Sequence, residues 1–153
     1  MSNIKPLSDS IIISACLLGQ ACRFDGQGKA RAEIIELLAG REVLAVCPEV
    51  EGGLPIPRPP AEIKGNSVLR ENGEDVTKAF ELGAEKCTSA GLAAKASLAI
   101  LKSRSPACGC GQVYDGSFSK TLILGDGIFT RMLKEKGIEC ISDEQFLDNS
   151  DIH

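Results

Sequence analysis

The sequence holds a single histidine, His153, and it is the last residue of the chain. No internal imidazole is available for a Cys-His or Ser-His nucleophile or for a histidine-rich zinc site, so sulfur and carboxylate are left to carry the chemistry. No C-x-x-C occurs, which argues against a thioredoxin-like dithiol and a paired-knuckle zinc site. A basic run is missing too: 17 Lys and Arg are scattered among 21 Asp and Glu, for a net charge of -4, and this balance disfavours a nucleic-acid partner. Every apolar run is far short of the roughly 20 residues that span a bilayer. The polar stretch from Met1 to Ser10, interrupted by Pro6, lacks the charged and then apolar order of a signal peptide. The expectation is a cytoplasmic protein with no membrane partner.

What is present is one domain's worth of chain. The 153 residues, 43% of them apolar, are enough to bury a core, and a single domain over 1–153 is expected, with residues 1–9 as an N-terminal tail. Apolar runs, glycine-containing loops and amphipathic segments alternate in a βαβ rhythm. Strands are expected at about 10–15, 42–46, 96–101 and 138–141. Helices are expected from Ala32 to a stop at Gly40, from an Asp75 cap to about Ala90 with Gly91 as the stop, and from an Asp126 cap to Gly137, with a last helical turn over 142–147. The fold class is α/β, a single-domain, three-layer, Rossmann-like arrangement around a mainly parallel sheet. Between Cys47 and Pro60 stand five of the seven prolines, which reads as an ordered loop and not as a helix or central strand.

Seven cysteines in a chain without a secretory signal read as reduced thiols. Cys87 and Cys140 lie within a predicted helix face and a predicted strand, the ordinary place of a buried thiol. Cys16, Cys47 and Cys108 instead follow predicted strands. In a parallel sheet the carboxyl ends of the strands share one edge, and ligands bind there. Three thiols distant in sequence are therefore expected to meet around one inorganic centre with a coordination position left open for substrate. Cys22 and Cys110 are open alternatives, with Cys108 favoured over Cys110. Two oxygen-bearing side chains are close by: Glu49, two residues past Cys47, is a candidate general acid or base or else a solvated loop charge, and Ser105, ahead of Pro106, is a candidate catalytic hydroxyl or else a turn residue. Arg23 and Arg58 either pair with loop carboxylates or hold a substrate.

Three motifs sharpen this reading. Ser14-Ala15-Cys16-Leu17-Leu18-Gly19 with Cys22-Arg23-Phe24-Asp25-Gly26, Cys47-Pro48-Glu49-Val50-Glu51-Gly52-Gly53-Leu54-Pro55-Ile56-Pro57-Arg58 with Pro60-Ala61-Glu62-Ile63, and Leu101-Lys102-Ser103-Arg104-Ser105-Pro106-Ala107-Cys108-Gly109 closely resemble, in order, a bacterial domain family whose characterised members are TudS-type 2-thiouracil desulfidases. The likeness runs from about residue 10 to 147. It implies an oxygen-sensitive 4Fe-4S cluster held by Cys16, Cys47 and Cys108, with Glu49 and Ser105 catalytic. It also implies non-redox removal of sulfur from a thiolated base or nucleoside, with release of hydrosulfide. Arg23, Asp25 and Ser103 are expected to contact the substrate, and a homodimer is kept open. The chain departs from the family pattern at Phe24, where tyrosine is common, and at Ala107 and Cys110. Two readings from other classes stand beside this one: a zinc-binding structural or regulatory module in which Glu49 or Cys110 completes four ligands, and a thiol redox protein pairing Cys108 with Cys110.

Overall fold

The computed structural model describes residues 10–151, so the tail expected at 1–9 lies outside the described residues. Four short strands, β1 (Ile11–Ser14), β2 (Val43–Val46), β5 (Leu98–Leu101) and β8 (Glu139–Ser142), form a wholly parallel sheet in the order β2-β1-β5-β8. Side chains alternate across a strand, and the sheet is apolar on both sides. Ile12, Ala99 and Leu101 pack with Phe80, Ala84, Phe129 and Leu133, from helices α3 (Thr77–Ala93) and α4 (Ile128–Glu135). Ile11, Ile13 and Ile100 pack with Ile34 of α1 (Ala32–Leu37) and Leu147 of α5 (Asp143–Asp151). Helices thus cover both faces, as a parallel sheet requires. Among the described residues no helix is long and apolar enough to cross a membrane.

Several boundaries differ from those expected. The proline-rich segment opens with one helical turn, α2 (Pro48–Glu51), because proline at the first helical position gives up only an N–H that has no intrahelical partner. Gly91 does not end α3. The helix runs on to Ala93, and Gly91 is buried within it where a Cβ would stand 2.5 Å from Ile12 Cδ1. Asp75 is one position too early for the cap, although its carboxylate does accept the Thr77 N–H at 2.8 Å. Asp126 is not the cap of α4; Gly127 takes that position, and the Asp126 carboxylate binds the Gly111 N–H and Lys134 Nζ. The terminal turn is a longer helix, α5, opened by a reciprocal cap in which Ser142 Oγ accepts the Gln145 N–H and Gln145 Oε1 accepts the Ser142 N–H.

Two antiparallel hairpins have no counterpart among the expected elements: β3 (Ala61–Lys64) with β4 (Ser67–Arg70), and β6 (Gln112–Tyr114) with β7 (Leu122–Leu124). Each strand has three or four residues, too few for an alternating pattern to show. Glu62 of β3 accepts the N–H groups of Gly116 and Phe118 through one oxygen, at 3.0 and 3.1 Å, which ties the β6–β7 turn to the first hairpin. On the other side, α2 meets α3 backbone to backbone: a Cβ on Gly83 would fall 1.7 Å from the Pro48 carbonyl oxygen. Only glycine fits there, and the contact sets the height of Cys47 and Glu49 above the sheet.

Candidate functional site

The carboxyl ends of β1, β2 and β5 open onto a cavity of about 410 Å³. Each strand delivers one thiol to its wall: Cys16 from the 3-10 turn Ala15–Leu18 that follows β1, Cys47 at the N-cap of α2 after β2, and Cys108 at the end of the loop that leaves β5. The convergence expected of these three is observed at the level of one shared wall. Glu49, Ser105, Arg23 and Ser103 lie on the same cavity, as does Cys22. Asp25 is not among the lining residues; its carboxylate stands 3.6 Å from Arg23 and accepts the Gln27 N–H. Cys110 does not line the cavity either, and its charged neighbours are Lys134 and Asp126.

The three thiols differ in what surrounds them. A hydrogen bond from the Cys22 thiol, helped by the Val50 N–H at the start of α2, brings Cys47 down to about 7 and drives Cys22 up. When Cys47 carries its proton it donates to the Cys22 carbonyl at 3.6 Å. Burial pushes Cys16 up to about 11 against the opposing charge of Lys102. Burial also raises Cys108 well above the ordinary thiol range, opposed by a hydrogen bond with the Ser14 hydroxyl. All seven cysteines are free. Among the described residues no three His, Cys, Asp or Glu side chains are grouped to hold one metal ion.

Glu49 is not a solvated loop charge. Its side chain is 17% exposed, and Arg58 Nε donates to Oε1 at 2.9 Å. Burial raises the Glu49 carboxyl above its usual range, and the guanidinium holds part of that rise back. Arg58 pairs with a loop carboxylate, one of the two roles expected for it, and also lines the cavity. With its side chain 3% exposed, it also donates to the carbonyls of Pro55 and Cys22 at 3.1 and 2.8 Å, stitching the proline segment to the loop after β1. Ser105 Oγ accepts the Cys108 N–H at 2.7 Å, so its own proton is left over for a further acceptor. Ser103 donates its N–H to the buried Asp143 carboxylate and sits 3.4 Å from Lys102 Nζ.

Ser14 and Lys102, which line the cavity within the quoted motifs, and Asp143, buried behind its wall, had no role assigned from the sequence. A signal existed for the first two, since a polar residue directly after an apolar strand sits at the edge where ligands bind. Asp143 is found only through its partners, Arg31 and the Ser103 N–H.

The 2-thiouracil desulfurase family profile matches residues 11–145. The uncharacterised Bacillus subtilis protein YbbK is 36% identical over 148 residues, covering 90% of this chain and 98% of that protein. A solved structure described as the 4Fe-4S-dependent thiouracil desulfidase TudS is 45% identical, covers 92% of this chain and 94% of its own, and superposes with a TM-score of 0.86.

Proposed function

Since the chain belongs to the 2-thiouracil desulfurase family, we propose that it is a desulfidase that removes sulfur from a thiouracil-like base or nucleoside by non-redox hydrolysis, using a 4Fe-4S cluster held by Cys16, Cys47 and Cys108. The observation that carries the reading is one cavity wall with three strand-end thiols, Cys16 and Cys108 buried and Cys47 half-buried, beside a largely buried carboxylate and a hydroxyl. The donor set fits the group. Thiolate sulfur is the ligand such clusters take, and three strands each bring one thiol to the same wall, with Cys47 brought down to about 7.

When bound, such a cluster with one iron free of protein ligands supplies a Lewis acid for a thiocarbonyl sulfur. The chain's own residues do the rest. Glu49, held through Oε1 by Arg58, has Oε2 left to take a proton from the water that attacks the thiocarbonyl carbon. Ser105 donates its remaining proton to the heterocycle and steadies it. Arg23 and Ser103 orient the ring from the wall. The balance is C=S plus water giving C=O, hydrosulfide and a proton, with no net electron transfer.

The test is anaerobic reconstitution with iron and sulfide, followed by assay of hydrosulfide release from 2-thiouracil and a panel of thiolated bases and nucleosides. One hydrosulfide per oxo product is expected. A loaded protein that releases none from any of them overturns the reading.

A further inference from the structure

A uracil-type ring brings an N–H to its site beside the thiocarbonyl, and a buried N–H needs an acceptor. Most charged side chains on the cavity wall can only donate. Arg23, Lys29, Arg58, Lys102 and Arg104 all line it, and neither a guanidinium nor an ammonium has a lone pair to offer. The hydroxyls of Ser14 and Ser105 already accept, from the N–H groups of Lys102 and Cys108. Among the described lining residues only Glu49 and Glu62 carry carboxylates, which accept without donating. Glu49 is engaged by Arg58 and, in the reading above, by water, which leaves Glu62. This residue is half-buried on β3, and one of its oxygens is occupied twice. Oε1 accepts the N–H groups of Gly116 and Phe118 at 3.0 and 3.1 Å. The turn that supplies them is close against β3: a Cβ on Gly116 would fall 2.9 Å from the Ile63 carbonyl oxygen. The carboxylate is therefore gripped from one side, and among the described residues its hydrogen bonds engage Oε1 and not Oε2.

We propose, resting on the desulfidase reading above, that Glu62 selects the uracil type of ring, its Oε2 accepting the N3–H beside the thiocarbonyl. In a free 2-thiolated base both ring nitrogens next to that carbon carry hydrogen, but in a nucleoside N1 bears the sugar, so N3–H is the donor common to both. A cytosine-type ring has a lone pair at N3 in place of the hydrogen, and two lone pairs then face each other at Glu62. Rejection of such a ring is strong because the mismatch leaves both polar groups without a partner. The two carboxylates of the wall thus divide the work: Glu49 handles the proton of water, and Glu62 holds the ring.

The experiment compares the reconstituted parent with reconstituted Glu62→Gln by iron content and by kcat/KM for hydrosulfide release from 2-thiouracil and 2-thiocytosine. Glutamine keeps an oxygen for the N–H groups of Gly116 and Phe118, so its amide NH2 stands where Oε2 stood, and a donor replaces an acceptor with the shape unchanged. Iron content is expected to match the parent. The kcat/KM for 2-thiouracil is expected to fall about 10- to 100-fold, the worth of a hydrogen bond to a charged group, while that for 2-thiocytosine holds or rises. Equal losses on the two substrates, or no loss on either, overturn the proposal and leave the function standing. Calorimetric binding of uracil and cytosine to the same proteins reads the inference apart from turnover: a parental preference for uracil that Glu62→Gln loses supports it, and a preference the substitution leaves unchanged overturns it. A loaded parent that releases no hydrosulfide yet shows this preference and its loss overturns the function reading alone; one that also binds neither base overturns both. Should Glu62→Gln take up no iron, a crystal structure of the parent with uracil decides: a Glu62 carboxylate oxygen within hydrogen-bond reach of N3 supports the proposal, and one out of reach overturns it.

Discussion

Arg58 Nε donates to Glu49 Oε1 at 2.9 Å, and both side chains are largely withdrawn from water, 3% and 17% exposed. The pair faces a cavity, so one carboxylate oxygen is held while the other is left for chemistry. Its geometry separates two kinds of loss. Glu49→Gln preserves shape and can still accept from Arg58, but it no longer takes up a proton. The expected outcome is near-normal iron, sulfide and visible absorption, with hydrosulfide release lowered about 10²- to 10⁴-fold. Parental turnover with the cluster intact would return Glu49 to a structural role.

Arg58→Met removes the partner and leaves a mostly buried carboxylate together with two unanswered carbonyls, those of Pro55 and Cys22. Breaking a buried ion pair from one side costs roughly 3–5 kcal/mol. Chemical denaturation of the cluster-free protein is expected to show a loss of that order, with Arg58→Lys intermediate because its single amine cannot reach three acceptors in a plane.

Replacing Cys16, Cys47 or Cys108 with Ala is expected to abolish iron binding on reconstitution. Cys110→Ala is expected to retain it, because Cys110 is off the cavity wall. Metal analysis of the four variants checks both halves at once. Iron retained in Cys108→Ala and lost in Cys110→Ala would reverse the ligand assignment.

Gly83→Ala tests the seat of the site from outside it. The added methyl group meets the Pro48 carbonyl oxygen, so α2 must shift and take Cys47 and Glu49 with it. Overpacking of this kind costs about 1–3 kcal/mol. Thermal denaturation should report that loss, and iron uptake should fall although no ligand has been changed.

Cys87, on α3 and remote from the ligand loops in sequence, offers a pH signature of packing. Burial raises its thiol from an ordinary value of 9 to about 12. In the unfolded chain the thiol ionises first, so above pH 9 protons leave the unfolded state more readily than the folded one. The contribution of Cys87 to stability is therefore complete below pH 9 and is lost as the pH climbs toward 12. Unfolding titrations should show Cys87→Ala less stable at neutral pH, by about 1 kcal/mol, and less steeply dependent on alkaline pH than the parent.

The succession of the four sheet strands along the chain and the placing of Cys16, Cys47 and Cys108 after three of them were legible in the sequence, whereas the β2-β1-β5-β8 order in the sheet was not. The first two follow from local properties: apolar runs of strand length, glycine stops, and the common polarity of strands in a parallel sheet. Gly137 closes α4 as its position suggests, at a φ of 81°. The two hairpins were not legible, because strands of three or four residues have no period to detect and are held by partners such as Glu62, 54 and 56 residues from the N–H groups it binds. The same limit applies at the site. That Glu49 is paired and not solvated, that Asp25 lies off the wall, and that Ser14 faces Lys102 across 88 residues of chain were decided only by tertiary structure. Hydrogen-bond partners of buried polar groups are chosen by which surfaces packing brings together, and no local pattern in the chain encodes that choice.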